Sequence, residues 1–431
     1  MKHISSKISL LLMCFMLVGA TAYAETYKGA VKKPAKKAEL ERCRRGQGSA
    51  ELSINNVRAR INTSGNMWYD GSTARYFVPK DGNSTAMFCA ALWIGGQDAN
   101  LQLRVAALKF GQSGDDFWPG PLTVDANASV DKAVCEQWDK HFKITKAEVE
   151  YFVDGFEYQG GTFVGVDASR ATEAIKTWPA HGDVSKNQSK FMAPFFDRNG
   201  DGVYSWEDGD YPYYDLSGEL CPAKQKEKWA ELGLPFTPTP TMESDTTNPN
   251  YGTGGVVKAY GGLLVDQVLK GDETIWWVFN DKGNAHTESG SENPIGLEIR
   301  AQAFAFAMND EINNMTFYSY EIINRSTFTL TNTYFSQWVD PDLGYAHDDY
   351  VGCDVERGLG YCYNGKATDG PGTGSYSGNP PAIGIDFFQG PYMDPDGRDN
   401  PKVDNIKVAD IYGEAALDPY RNEDGTVNHI L

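Results

Sequence analysis

The sequence predicts a mainly β protein, made of antiparallel β-sandwich-like lobes with a small helical insertion. Three observations carry this. Apolar residues recur with period two through much of 51–125 and 256–400. The chain holds 45 glycines and 13% aromatic residues but few long apolar runs, which is the composition of short strands joined by many turns. Helix-start signals concentrate in one stretch, 126–180. The mature length exceeds what one core ordinarily supports, so two or more lobes are expected.

The elements follow in order. Residues 51–125 read as a first antiparallel region. Leu52 and Ile54 alternate, then Val57, Ala59 and Ile61; strand-like residues continue over 67–78 and 85–94, broken by Asp70-Gly71 and Asp81-Gly82. Gly95-Gly96 turns the chain, and Leu101, Leu103 and Val105 oppose Gln102 and Arg104 in a further strand. Residues 126–234 read as the helical insertion. Ser129 precedes a helical pattern over 130–138, Thr145-Lys-Ala-Glu148 is a capping box, and Ser169, Thr172 and Glu173 open a short helix that ends before Pro179. Residues 222–231 read as one more helix.

Residues 235–255, rich in Pro, Thr, Asn and Gly, read as a linker. The second β lobe, 256–400, opens on a continuous apolar and aromatic run at 274–279. Residues 297–307 then show two faces, Leu, Ile and Ala against Glu, Arg, Gln and Phe. Residues 315–323 and 328–339 are expected to pair as a hairpin through Asn324-Arg-Ser-Thr327. Residues 382–388 add a strand, and 401–431 read as weakly structured.

The N-terminus is an export signal over 1–24. Lys2 and Lys7 precede a short apolar run at 10–18, and Ala22-Tyr-Ala24 fits the small-x-small cleavage pattern. No later segment approaches the ~20 apolar residues a membrane span needs. A net charge of −19 disfavours nucleic acid as a partner. The acid is uneven: residues 25–50 form a flexible leader, basic through Lys32, Lys33, Lys36, Lys37, Arg42, Arg44 and Arg45. After cleavage Cys43, Cys89, Cys135, Cys221, Cys353 and Cys362 remain, an even set that suggests disulfides in an exported chain. Cys353 and Cys362 are close enough in sequence for a local hairpin staple. Their spacing fits neither a CxxC redox pair nor a zinc knuckle.

The strongest chemical signal is Asp197-Arg-Asn-Gly-Asp-Gly-Val-Tyr-Ser-Trp-Glu-Asp208. Oxygen donors occupy positions one, three, five, nine and twelve of a calcium loop: Asp197, Asn199, Asp201, Ser205 and Asp208. Gly202 supplies the sharp turn at position six, and Val203 offers its carbonyl at position seven. Hard oxygen donors in this order point to a structural Ca²⁺. The flanks, Pro194-Phe-Phe before and Gly209-Asp-Tyr-Pro212 after, lack the helices of an EF-hand. Two further acidic loops are weaker: Asp340, Asp342, Asp348, Asp349 and Asp354, and Asp394, Asp396 and Asp399.

No catalytic centre is legible. His141, His181, His286 and His347 are isolated, no HExxH exists, and Gly374-Ser-Tyr-Ser-Gly378 lies in a Gly/Pro loop rather than a strand-to-helix elbow. His347-Asp348 sits among acids and reads as a loop contact. Trp93, Trp118, Trp276, Trp277 and Trp338 are expected in the core ahead of a sugar platform. The reading is a calcium-binding surface protein with a structural, adhesive or ligand-binding role toward a cell-surface or polysaccharide ligand. The alternative is a secreted polysaccharide hydrolase with paired carboxylates from the 340–354 or 386–399 loops.

Several segments together resemble one family. They are Ala91-Leu-Trp-Ile-Gly-Gly96, Ser113-Gly-Asp-Asp-Phe-Trp-Pro-Gly-Pro121, Trp178-Pro-Ala-His-Gly182 and Ala193-Pro-Phe-Phe-Asp197 through Gly209-Asp-Tyr-Pro212. Further along come Ile275-Trp-Trp-Val-Phe-Asn-Asp-Lys-Gly283, Gln337-Trp-Val-Asp340 with Asp349-Tyr-Val-Gly-Cys-Asp354, and Asp386-Phe-Phe-Gln-Gly-Pro391. The set resembles large, uncharacterised exported surface proteins of Bacteroidota that commonly carry a C-terminal sorting domain for type IX secretion. The resemblance implies an outer-surface or extracellular home and a Ca²⁺ loop at 197–208, and it brings no activity. This chain ends at Ile430-Leu431 without a sorting domain, in the manner of a piece of a longer protein. Without that domain the expected place is the periplasm. Asp245-Thr-Thr247 is similar to the short O-glycosylation motif of that phylum.

Overall fold

The computed structural model describes residues 42–216, 256–258 and 268–390, apart from 126, 292, 328 and 389, together with 402–403 and 406–407. The expected helix at 222–231, the linker at 235–255, the Asp245 motif, Cys221, most of 401–431 and the loop at 394–399 lie outside the described residues.

The fold is mainly antiparallel β. One sheet has eight strands, ordered Thr331–Asp340, Cys89–Gln97, Asn66–Met67, Arg58–Asn62, Tyr76–Phe77 and Thr85–Met87, with Ser49–Leu52 on Arg58–Asn62 and Leu103–Ala107 on Cys89–Gln97. A second sheet orders Phe317–Asn324, Leu297–Ala305, Glu273–Asn280 and Trp118–Pro119, with Phe142–Thr145 also pairing with Glu273–Asn280. Strands from 51–125 and from 256–400 thus share both sheets. Among the described residues no helix is long and apolar enough to cross a membrane.

The second sheet is a middle layer. One face places Ile275, Trp277, Phe279, Ile299, Ala301 and Ala303 in one core with Leu52, Ala59, Ile61, Leu92 and Ile94 of the first sheet. Its other face places Trp276 and Val278 in a second core with Ile144, Val149, Phe152, Ile175 and Phe195 of the insertion. All eight residues of Glu273–Asn280 are buried. A strand covered on both faces has no polar side to alternate with, which is why 274–279 reads as an unbroken apolar run.

Leu297–Ala305 solves the same problem differently. Its alternation survives, yet both faces are dry: Glu298 and Arg300 are 0% and 3% exposed. Buried charge must be paired. Glu298 accepts from Arg300 Nε at 3.0 Å, from Arg325 Nη2 at 3.3 Å and from the Leu122 amide at 3.0 Å. Burial alone would raise the Glu298 pKa; the two guanidinium charges outweigh it and hold the carboxyl below its ordinary value. Arg300 also reaches Glu321 at 3.7 Å.

The insertion forms as its caps dictate. Asp131 caps Lys132–Gln137 through the Val134 amide, two residues after the expected Ser129. Ser129 instead bonds through its amide to Thr123. Thr145 and Glu148 form the full reciprocal capping box at the start of Lys146–Val153. The expected third helix divides into a 3₁₀ turn, Ala168–Arg170, and one α turn, Glu173–Lys176, capped by Thr172.

Two expectations are corrected. The strands flanking Asn324-Arg-Ser-Thr327 do not pair as a hairpin: Phe317–Asn324 pairs with Leu297–Ala305, and Thr331–Asp340 with Cys89–Gln97. The turn carries the chain from one sheet to the other, because each strand completes a register with a strand distant in sequence. Cys353 and Cys362 do not bond either. Register sets Cys353 opposite Gly360 and Cys362 opposite Val351, and both remain free thiols. The disulfide among the described residues is Cys43–Cys135, with Cα atoms 5.8 Å apart across a sequence separation of 92.

Two outcomes follow from this architecture. Glu298→Ala strands Arg300 and Arg325 without their shared carboxylate and should cost about 3–5 kcal/mol, read from urea denaturation. Replacing Cys43 and Cys135 by Ala together releases a long loop and should cost about 2–5 kcal/mol in the same assay.

Candidate calcium loop and its surroundings

Strand Phe195–Asp197 runs parallel to Val256–Lys258 and antiparallel to Tyr211–Pro212, so both ends of 197–208 are anchored in one small sheet. Asp197, 1% exposed, stands at the strand end. Its two oxygens accept the amides of Gly200 at 2.7 Å and Gly202 at 2.8 Å. Asn199 Oδ1 accepts the Asp201 amide at 3.0 Å, and Asp201 Oδ1 accepts the Val203 amide at 2.7 Å. Three successive side chains therefore curl the backbone by holding amides ahead of them, as Asx turns do. Both glycines take positive φ, 75° at Gly200 and 72° at Gly202, where a Cβ would be strained.

The second half of the loop behaves differently. Ser205 caps the 3₁₀ turn Trp206–Asp208 through the Asp208 amide, and the Glu207 and Asp208 side chains are exposed. Asp210, read in the sequence only as part of a helix-breaking flank, is fully buried. It accepts the amides of Arg198 and Ser205, each at 2.9 Å, and so ties the two limbs of the loop together. Burial first, then the charges of Asp197 and Asp201, push its pKa up to about 6. Alternating side-chain oxygen donors at 197, 199 and 201 are visible in a sequence. A clamp two residues beyond the loop carries no such signal.

His181 supports the loop from the insertion. Its Nδ1 donates to the Lys190 carbonyl and its Nε2 accepts the Tyr204 amide, both at 2.7 Å, which defines the neutral ring. Burial lowers its pKa accordingly. Trp178 Nε1 donates to the Pro194 carbonyl at 2.9 Å, and the Tyr204 hydroxyl to the Ile175 carbonyl at 2.6 Å. The Trp178–Gly182 motif is thus a cradle for the loop.

The donors at 197, 199 and 201 are hard oxygens of the kind Ca²⁺ takes. Among the described residues no group of three or more His, Cys, Asp or Glu is gathered to hold a metal ion. A calcium set here therefore draws on Asn199, Ser205 and the Val203 carbonyl beside the carboxylates.

In the acidic stretch 340–354, Asp342, Asp348 and Asp349 flank one turn, whereas Asp354 stands at the far end of strand Asp349–Asp354. Asp349 accepts the Leu343 amide at 2.9 Å. Asp369, which sequence reasoning passed over, is buried and accepts the amides of Tyr345 at 3.0 Å and Tyr376 at 2.6 Å. Burial, then neighbouring carboxylates, raise Asp342 and Asp349 to about 6 each. Asp348 is bonded to Asn364, while His347 packs edge-on to Tyr345. Of the tryptophans, Trp118, Trp276 and Trp277 are core, whereas Trp93 and Trp338 lie half-buried and parallel, 6.2 Å apart.

His286 is the most constrained ionisable group. Nδ1 meets the Val105 carbonyl at 2.7 Å and Nε2 the Asp281 carbonyl at 2.6 Å. Carbonyls only accept, so both nitrogens carry protons and the ring is an imidazolium. Asp281 Oδ2 lies 3.4 Å away and Asp116 Oδ2 3.7 Å away, and all three side chains are fully buried. Burial alone would lower the His286 pKa; Asp281 and Asp116 overcome it and raise it above 6.5.

This is a mainly antiparallel β protein with few helices, whose insertion carries the acidic loop 197–208. Comparison with protein-family models, with curated proteins and with solved structures finds no match to this chain.

The raised His286 pKa fixes a sign. Its charge contributes full stability below pH 6.5, and that contribution is lost as pH rises through the higher folded value. Denaturation midpoints should therefore decrease as pH rises above 6.5, and His286→Gln should flatten that part of the profile. A profile unchanged by the substitution refutes the assignment.

Proposed function

We propose that this chain is an exported, calcium-stabilised protein of the cell surface or extracellular space, with a structural, adhesive or ligand-binding role. One observation carries the calcium part. Asp197, Asn199 and Asp201 each hold an amide further along a loop whose limbs Asp210 ties together. The loop thus holds its curl through its own side chains, which supports the calcium reading. Asp197, Asn199 and Asp201, with Ser205, Asp208 and the Val203 carbonyl, would hold the ion. When bound, Ca²⁺ neutralises the crowded carboxylates and cross-links the strand end to the 3₁₀ turn.

Because the loop lies between short strands and not between mobile helices, the reading is a clasp, not a sensor. The export signal at 1–24 supports a compartment where calcium is abundant.

Millimolar Ca²⁺ should raise the melting temperature, by a free energy near 2.7 kcal/mol if the site is filled at about a hundred times its Kd. Asp201→Asn, which keeps an acceptor for the Val203 amide but removes the charge, should sharply weaken the response while leaving the calcium-free melt nearly unchanged. Identical melting in calcium and in chelator overturns the proposal.

A further inference from the structure

The chain closes the described region with a three-stranded sheet, Asp349–Asp354, Leu359–Asn364 and Ala382–Ile385. One face belongs to the fold: Cys362 is part of the large core, and Ile383 and Ile385 pack against it. The other face follows from register. Tyr350 stands opposite Tyr363, Gly352 opposite Tyr361, and on the far side Tyr361 meets Gly384 and Tyr363 meets Ala382. The outward face thus carries three tyrosines separated by glycine and alanine, with Leu359 and Asp354 at one end.

Those small residues let the rings lie down. A Cβ at Gly352 would sit 2.5 Å from the Tyr361 ring, and one at Gly365 would sit 2.2 Å from the Tyr350 ring. Tyr361 and Tyr350 therefore lie close over glycine backbone. Tyr350 and Tyr363 are 5.9 Å apart and 24° from parallel; Tyr361 and Tyr363 are 6.1 Å apart and 33° from parallel. The three remain 58%, 37% and 44% exposed for Tyr350, Tyr361 and Tyr363. Near-parallel pairs such as Trp277 and Phe279 also occur in the core, but there the rings are buried; what sets this row apart is its exposure.

We propose that this face is a binding platform for a neutral polysaccharide. The charge around it selects the class. Asp348, Asp354, Glu356 and Asp386 border the sheet against Arg357, already paired to Asp354, and Lys366. That excess of acid repels polyanions such as nucleic acid or acidic glycans. A pyranose ring offers the complement: its C–H bonds carry partial positive charge toward the negative faces of the tyrosines, and its hydroxyls donate to carboxylates that only accept. The inference rests on the ligand-binding reading above and names its ligand class. It is independent of the calcium clasp, whose failure would appear in melting alone.

The test is retention of the full chain on three insoluble neutral glycans, microcrystalline cellulose, xylan and β-1,3-glucan, by depletion isotherms. Retention is expected on at least one. Tyr361→Ala and Tyr363→Ala should each weaken it about tenfold, the scale of one lost aromatic contact. Tyr361→Phe, which keeps the ring, should bind as the parent does. The tyrosines are exposed, so melting of the variants should match the parent. No retention on any of the three overturns the proposal, as does retention unmoved when all three tyrosines are alanine. Concentration-dependent self-association lost in the triple variant also overturns it, in favour of a second copy as occupant.

Discussion

The fold depends on a strand that sees no water. Glu273–Asn280 lies between two cores, and the charged and amide side chains Glu273, Asn280 and Asp281 at its ends are held by partners inside the protein. The partners are the fold's long-range ties. Glu273 accepts the Ser53 amide at 2.7 Å from the first sheet and pairs with Lys143 at 2.8 Å from the insertion. Asn280 bonds the Trp118, Pro119 and Gly120 carbonyls and fixes the short strand beside it. Asp281 takes three consecutive amides, Ile295 to Leu297, and starts the next strand. Segments distant in sequence are therefore joined by the cost of leaving a buried group unpaired.

The same logic explains why ionic clusters sit where they do. Glu298 with Arg300 and Arg325, and His286 with Asp116 and Asp281, occupy the seams between layers. Apolar side chains would fill those seams at similar or lower cost, but only directional bonds select one register and one crossing of the chain. The calcium-type loop hangs from this frame through the second core. Phe195 is buried beside His181 and Tyr204, so the loop's two ends are placed by packing before any ion is considered.

Much of this was legible. Period two, the capping box at Thr145 and the donor order at 197–208 are local rules, and local rules operate within a few residues. Three failures have one cause. The turn after Asn324 has hairpin chemistry, yet its strands prefer partners in different sheets. Cys353 and Cys362 are near in sequence, yet register keeps them apart, while Cys43 reaches Cys135. Asp210 and Asp369 look like ordinary turn acids until the amides they hold converge from separate segments. In each case the deciding contact is not local.

By itself the sequence determined the class of fold, the place of the insertion and the residues that shape the candidate loop, because each is set by side-chain chemistry over one turn or one strand. Only the tertiary structure decided which strands share a sheet, which acids are clamps, which histidine is charged and which aromatics lie open to solvent. Those properties depend on burial from two sides, and burial belongs to the whole chain rather than to any window of it.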